Sequence, residues 1–553
     1  MKPQGEFHEF NSRYISAGIG DDYKKWKKRT SRKSSTNVFI ESPTGTGKTY
    51  FLIDKILPYA IEKDRSIIYL CNRDVLKKQI ENAIIEKRPD LTVSHNTHKS
   101  ISVFLYPNSY ATIAVVNYQS FATLDKMDFY NLYYVVLDEV HFFLEDATFN
   151  VFTHDIYLHL LSKYMNQVHI FLSATMWEFY EIYIDTCMQF LPEHPQQQVF
   201  DALYTLNYEY YRNCYSKPLY NIILYKTDKF LINRIQDSND KWLFFVSSIK
   251  DGEIMKKCIE IVTSKKCFFL TKNKKYSRAW KSLVENSCFK EDILITTKVL
   301  DNGVSIHDNM VRNIVLPAVN QTELMQMLGR KRVSDDSIGS TNIYIKQPSM
   351  QVVNAMLKSH REKIAFFKKI GALQTNTYKQ RLIREYWRSE KYNMLFHFNF
   401  AGNEVNLKYN ILSIYKFANE IAFYEYLHNA HANTQAYMNC LHAWLRNNII
   451  SIQHENIHSN TNNLIEFLNC NINSNISDTD SFYESFMELY KMFCYKKFME
   501  KEPEDLKEFQ NALAIRKGST QRKATINRCL ELLQLPYKLE KKSKCWVLYK
   551  LSQ

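Results

Sequence analysis

Between Asn37 and about residue 175, short apolar runs (NVFI, SIIYLC, TIAVV, YYVVLDEV and HIFLSAT) alternate with longer helical stretches such as YFLIDKILPYAIEK and VLKKQIENAIIEK. Runs that stay apolar at consecutive positions suit strands buried on both faces. Strands separated by helices pair in parallel, because the crossover needs the length of a helix. The same rhythm starts again near residue 220 with NIILY, KWLFFVSS, KCFFL, DILITT, NIVLP and TNIYI. Two tandem α/β units with parallel sheets are expected, and 553 residues exceed what one core can hold. After about residue 350, long amphipathic stretches such as YNILSIYKFANEIAFYEYLHNAH predict a mainly α-helical C-terminal region, interrupted by the polar loop NCNINSNISDTDSF. The tail, STQRKATINRCLELLQLPYKLEKKSKCWVLYKL, reads as a helix and two short strands about a lysine-rich turn. Two readings stay open for it: a winged-helix-like module, or a helix and hairpin that only pack on the helical region. The expected division is a basic N-terminal arm at 1–34, α/β domains at 35–205 and 206–350, and a helical accessory domain at 351–553.

Charge narrows the partners. Lys and Arg number 72 against 58 Asp and Glu, a net charge of +14 that favours polyanions, although a lysine-rich proteome alone would give mild basicity. The run DDYKKWKKRTSRKSS at 21–35 offers Lys24, Lys25, Lys27, Lys28 and Arg29 to phosphates, but a solvated charged face is its simpler reading. The 11 cysteines include no Cys-x-x-Cys pair, which fits a reducing cytosol. The start MKPQGEFHEFNSRY lacks the apolar core of a signal peptide, and no run reaches about 18 apolar residues. A soluble, cytoplasmic protein with no membrane partner is expected.

Two motifs carry chemistry on their own residues. Ser42-Pro43-Thr44-Gly45-Thr46-Gly47-Lys48-Thr49 lies between the strand NVFI and the helix YFLIDKIL, the setting of a P-loop. Its glycines let backbone N–H groups turn onto phosphate, with Thr44, Gly45, Thr46 and Gly47 forming the cradle. Lys48 supplies a point charge for the β and γ oxygens, and Thr49 a hydroxyl for Mg²⁺. The run Tyr133-Tyr134-Val135-Val136-Leu137-Asp138-Glu139-Val140-His141 is a buried strand ending in two acids. Asp138 suits a Mg²⁺ ligand, and Glu139 suits a base that orients and deprotonates an attacking water. Adjacent acids can also be a solvated strand end; the P-loop upstream favours the catalytic reading. The cofactors implied are ATP and Mg²⁺. His428, His431, Cys440, His442, His454 and His458 match no tetrahedral zinc spacing and read as surface histidines.

Asp138-Glu139-Val140-His141 resembles the DEAD/DEAH box of superfamily 2 helicases in a DEVH form, and further motifs follow in the family's order over about residues 37 to 345. Phe171-Leu172-Ser173-Ala174-Thr175 is similar to the Ser-Ala-Thr motif, which implies that Ser173 and Thr175 couple the acids to the second domain. Tyr69 to Arg73 with Gln79, and Val115 to Ser120, resemble segments that contact the nucleic-acid backbone, implicating Arg73 and Gln119. Phe244 to Ser248 is similar to motif IV, and Ile293 to Lys298 through Asp301, Gly303 and Ser305 to motif V. They implicate Ser248 and Thr297 in nucleic-acid contacts and Gly303 in nucleotide binding. Gln326-Met327-Leu328-Gly329-Arg330-Lys331-Arg332 resembles motif VI, so Gln326 and Arg330 join the catalytic set with Arg330 as arginine finger. The family's second arginine position holds Val333 here, which leaves Arg332 as the available substitute on the nucleotide. The resemblance implies two RecA-like P-loop domains clamping one ATP.

The function expected is an ATP-dependent helicase or translocase on nucleic acid. DNA is favoured over RNA because of the winged-helix reading, the basic balance, and the lack of Asp-Glu-Ala-Asp and His-Arg-x-Gly-Arg. The alternatives are an ATP-dependent sensor or remodelling scaffold, a motor subunit of a larger system with protein partners on the helical region, and an RNA helicase.

Overall fold

The computed structural model describes residues 4–29, 35–95, 101–124, 127–189, 207–215, 218–271, 278–297, 300, 305–317, 320–332, 341–371, 394–401, 404–429, 434–454, 463–500, 519–533, 535–543 and 545–551. Strands β1 (Gln4–Phe10), β2 (Thr36–Glu41), β3 (Ser66–Cys71), β4 (Thr92–His95), β5 (Ile101–Leu105), β6 (Thr112–Asn117), β7 (Leu132–Asp138), β8 (Val168–Ser173) and β9 (Asn207–Asn213) form one sheet in the order β1-β9-β2-β8-β7-β3-β6-β5-β4. It is parallel from β1 to β6, and β5 and β4 close one edge antiparallel. Alternate residues serve opposite faces, as the period of two demands. Val38, Ile40, Ile67, Tyr69, Tyr134, Val136 and Ile170 share one core with the helical segment after the P-loop, while Phe39, Ile68, Leu70, Val135, Leu137 and Phe171 build the other with Phe143, Phe179 and Tyr183.

A second sheet combines β10 (Tyr220–Tyr225), β11 (Lys241–Phe245), β12 (Cys267–Leu270), β13 (Ile293–Thr296), β14 (Val311–Leu316) and β15 (Thr341–Lys346) in the order β12-β13-β11-β14-β15-β10-β18, the last being β18 (Ile449–His454). Every pairing in it is parallel. Trp242, Phe244, Ile293 and Ile295 face one side, and Leu243, Phe245 and Leu294 the other. Each apolar run named from the sequence is a strand, and the two α/β units stand.

The division along the chain needs three corrections. β1 and β9 pair with each other, and β9 with β2, so the first sheet reaches back to Gln4 and forward to Asn213. The boundary at 205/206 therefore moves to between Asn213 and Tyr220. The expected arm is also packed: Trp26 is 1% exposed, while Lys24 and Lys25 pair with Asp21 and Asp22. Finally, the region after 350 is mainly helical but not separate. The Ile411–Asn429 and Thr434–Leu445 helices give Leu427, Tyr437, Leu441 and Leu445 to one face of the second sheet, and β18 extends its edge. Leu464, Phe486, Ile526, Leu539, Trp546 and Leu548 fill the other face. Both faces of that sheet are apolar, and its own helices share their cover with the C-terminal residues, Leu231, Met255 and Ile259 lying in one core and Leu283, Leu324 and Met327 in the other. The tail forms a three-stranded antiparallel sheet from β19 (Asn475–Ile476), β20 (Tyr537–Lys542) and β21 (Cys545–Lys550) beside the Ser519–Leu532 helix. A further hairpin joins β16 (Phe396–Ala401) to β17 (Glu404–Tyr409). Among the described residues no helix is long and apolar enough to cross a membrane.

One core residue sets a pH response. His169 on β8 is 2% exposed and stacks on Phe171, and neither ring nitrogen has a hydrogen-bond partner among the described residues. Burial pushes its pKa down to about 4. A base with a depressed native pKa is protonated first in the unfolded chain, so stability is full above the ordinary imidazole pKa and is lost as pH falls from about 6.5 toward 4. His169→Phe should remove about 2 kcal/mol of the stability lost between pH 7.5 and pH 5, measured as urea midpoints at both. An unchanged acid response would show that this histidine is not the group being titrated.

Candidate nucleotide site

The site gathers at the carboxyl ends of β2, β8 and β7, which are neighbours in the first sheet. After β2 the loop reverses through Gly45 (φ 83°) and Gly47 (φ 80°), conformations a Cβ disfavours, and the helix starts at Lys48. Thr46 fixes the loop, its hydroxyl meeting Ser42 Oγ at 2.6 Å and the Pro43 carbonyl at 2.7 Å. Lys48 is buried, and its ammonium donates to the Ser42 carbonyl at 2.9 Å. Burial lowers its pKa, and Glu139 and Asp138 oppose that shift. Thr49 follows, half-buried, on the same helical turn.

Asp138 ends β7 in full burial. Its carboxylate accepts from the Tyr69 hydroxyl at 2.5 Å and from the Glu139 backbone N–H at 3.0 Å, while the Tyr118 hydroxyl donates to its carbonyl at 2.9 Å. Burial, then the charge of Glu139, pushes the Asp138 pKa up. Glu139 has φ 53°, an uncommon value for a residue with a side chain, and it turns the carboxylate off the strand into the cleft. Burial would raise its pKa, but Lys48, Arg330 and Arg332 outweigh that and keep it ionised. His141 contacts Glu139 at 3.3 Å and Ser173 Oγ at 3.1 Å. Burial lowers the His141 pKa, so the ring is neutral near pH 7. Ser173 Oγ also bonds Thr175, and the Ser42 N–H donates to the Ser173 carbonyl at 2.9 Å. The P-loop, the acids and the Ser-Ala-Thr segment are thus hydrogen-bonded into one unit.

The second lobe closes on this unit with the end of the Gln321–Leu328 helix. A methyl group at Gly329 would lie 2.6 Å from Thr44 Oγ1, so glycine permits the approach. A methyl at Gly45 would lie 3.1 Å from Arg332 Nη1, which places that guanidinium against the P-loop. Ser305 Oγ accepts from Arg332 Nε at 3.1 Å, and the Ile306 N–H donates to the Arg330 carbonyl at 2.7 Å while the Arg332 N–H donates to the Ile306 carbonyl at 2.8 Å. Nη1 of Arg332 is buried with no hydrogen-bond partner among the described residues, a donor directed at the loop. Arg330 acts electrostatically on both Glu139 and His141. Gln326 is half-buried on the same helix.

The structure places Thr44, Gly45, Thr46, Gly47, Lys48, Thr49, Asp138, Glu139, Ser173, Thr175, Arg330 and Arg332 around one cleft. Gly303 lies outside the described residues, as does Val333. The nucleic-acid candidates stand at strand ends: Arg73 and Gln119 are exposed beyond neighbouring β3 and β6, while Ser248 and Thr297 are half-buried beyond neighbouring β11 and β13. The Ser248 hydroxyl caps the Ile249–Val262 helix by accepting from the Asp251 N–H at 3.1 Å, a structural duty it already has. Four contributors were missed. Tyr69 and Tyr118 hold Asp138; Asn213 on β9 donates to Ser42 Oγ at 3.1 Å; and the Tyr14 ring would lie 3.3 Å from a methyl at Gly47. Tyr69 could have been found as the inward residue of a strand predicted beside β7, but Tyr14 and Asn213 carry no local signal.

The donor set fits a nucleoside triphosphate: a glycine-turned loop, a buried ammonium and an unsatisfied guanidinium Nη1 converge on one point. Among the described residues no group of three or more His, Cys, Asp or Glu is placed to hold a metal ion. Thr49 and Asp138 suit Mg²⁺ only in company with phosphate oxygens, which is how that ion commonly binds. This is the site of a P-loop nucleotide-binding protein with two RecA-like lobes. Residues 27–182 match the DEAD/DEAH box helicase family. No curated protein matches it. Among solved structures it is similar to S. cerevisiae Dbp5 bound to RNA and ADP BeF3 (15% identity, 59% of this chain and 83% of that one, TM-score 0.39). It is also similar to Mss116p bound to ssRNA and AMP-PNP (14%, 70% and 90%, TM-score 0.38) and to Mycobacterium smegmatis helicase Lhr bound to ssDNA and AMP-PNP (11%, 64% and 48%, TM-score 0.37).

Tyr69→Phe would leave a buried carboxylate oxygen of Asp138 without that donor. The expected loss is about 1–3 kcal/mol in urea unfolding at pH 8, where Asp138 is most ionised. A change within experimental error would show that the hydroxyl does not hold the acid.

Proposed function

We propose that the chain is an ATP-driven helicase or translocase that moves on DNA. The observation that carries this is the meeting of charges across the cleft: Lys48, Asp138 and Glu139 from the first lobe face Arg330 and Arg332 from the second. In this reading Gly45 to Lys48 grip the triphosphate. Thr49 and Asp138 hold Mg²⁺, which supplies neutralisation of phosphate charge when bound. Glu139, kept ionised by its cationic neighbours, accepts a proton from the water that attacks the γ-phosphorus as the bond to the leaving ADP oxygen breaks. Arg330 and Arg332 meet the charge that develops on the transferred group, a task suited to donors held in a water-poor site.

Coupling follows from the hydrogen bonds. His141 links Glu139 to Ser173, so the water-activating acid and the Ser-Ala-Thr segment are two contacts apart, through one imidazole. Arg73, Gln119, Ser248 and Thr297 stand at the strand ends where both lobes would hold a sugar-phosphate backbone, and opening and closing would shift their grip. DNA is supported by the DEVH form of the box, by a motif VI that lacks His-Arg-x-Gly-Arg, and by the net charge of +14. A sensor that closes on a strand without separating duplexes would use the same site.

ATPase activity should be stimulated by single-stranded DNA more than by RNA, and the stimulation should weaken as salt rises, because phosphate contacts release counterions. Lys48→Ala and Glu139→Gln should each lower turnover by about 100-fold or more, and Arg330→Ala by about 1000-fold. Wild-type turnover in the first two would refute the site, and equal stimulation by RNA would refute the DNA preference. Stimulated turnover without strand separation would favour the translocase or sensor over an unwinding enzyme.

A further inference from the structure

The Ile411–Asn429 helix carries Lys416, which is 1% exposed and belongs to no motif. Its ammonium lies 2.7 Å from Glu145 and 3.4 Å from Glu178. Glu145 stands on the Phe142–Ala147 helix, four residues past His141, and Glu178 on the Trp177–Gln189 helix, three past Thr175. One cation from the C-terminal region therefore joins the first turns of the two helices that leave the DEVH box and the Ser-Ala-Thr segment. Burial opposes its charge, but the two glutamates outweigh that and raise its pKa. Lys416 has company on this side: Asn410 Nδ2 donates to the Ala147 carbonyl at 2.8 Å, and the Tyr415 hydroxyl donates to Asp185 at 2.5 Å.

The same helix also reaches the second lobe. Glu420, one turn on from Lys416, lies 3.1 Å from His360 of the Met350–Gly371 helix, and Glu425 takes a hydrogen bond from Arg361 at 2.7 Å. Leu427 is part of the core of the second sheet. Glu420 also senses Glu323 on the Gln321–Leu328 helix, whose end carries Arg330.

We infer that Lys416 is a positioning residue that couples the lobes: through the Ile411–Asn429 helix, movement of the second lobe reaches the DEVH and Ser-Ala-Thr helices by way of the Lys416–Glu145–Glu178 contact. The inference rests on the reading of the site as a nucleic-acid-stimulated ATPase. A rigid helix with a buried ion pair at one end and an apolar anchor at the other transmits displacement, whereas solvent-exposed pairs would let it slip.

The test uses the full chain with poly(dT) as the nucleic-acid probe. Lys416→Met should leave the KM for ATP within about twofold of wild type, while the ratio of stimulated to basal kcat falls about tenfold. The triple variant Lys416→Met, Glu145→Gln, Glu178→Gln leaves neither Glu145 nor Glu178 as a carboxylate without its cation, so it should regain thermal stability over the single variant yet keep the reduced ratio. It carries the test if the single variant does not fold. A stimulation ratio within about twofold of wild type in Lys416→Met, or its full return in the triple variant, overturns the inference by making the lysine a packing residue only. Wild-type protein without any ATP turnover would instead sink the underlying reading, before a variant is made.

Discussion

A lysine ammonium out of water beside two carboxylates is the constraint around which this molecule is arranged. Lys48, Asp138 and Glu139 are each costly to bury alone, and the cost falls only when opposite charges and donors are placed within a few ångströms. Strand order makes that possible: β2 and β7 flank β8, so the loop after one and the acids after the other open on the same edge. Tyr69 and Tyr118 then supply hydrogen bonds that hold Asp138, and the left-handed backbone at Glu139 points its carboxylate into the cleft. Electrostatic shape at this point requires a rigid sheet, and the two apolar faces of that sheet provide it.

The second lobe supplies what the first lacks. Its guanidinium groups come from a short loop after a helix, and their aim depends on Ser305 and on the backbone bonds of Ile306 with Arg330 and Arg332. The second lobe does not stand by itself, however. Residues from the last third of the chain help cover both faces of its sheet and extend its edge, so the two α/β lobes and the C-terminal region are one folded assembly. The C-terminal helices consequently do more than decorate, since one of them reaches both lobes.

Much of the fold is legible in the sequence because a strand buried on both faces must be apolar throughout, and NVFI, YYVVLDEV and KWLFF could hardly be anything else. The strands that were missed have a different character. QGEFHEF and NYEYYRN mix polar and aromatic residues, since β1 lies at the sheet edge and β9 beside it. Such segments are strands only because a partner offers hydrogen bonds, and the partner is some two hundred residues away. The C-terminal region misled for a related reason: amphipathic helices announce an apolar face but not what covers it.

Local chemistry was thus fixed by the order of residues along the chain. The P-loop, the paired acids and the Gly-Arg turn each need only neighbours within a few positions, and their physical roles can be read from donors, acceptors and backbone freedom. Distance decided the rest. Only the tertiary structure brings Arg332 against Gly45, Tyr14 and Asn213 onto the P-loop, and Lys416 between Glu145 and Glu178. Those contacts join residues whose separation in sequence carries no periodicity or motif, and they exist because packing two sheets and their covering helices leaves one arrangement in which the buried charges are matched.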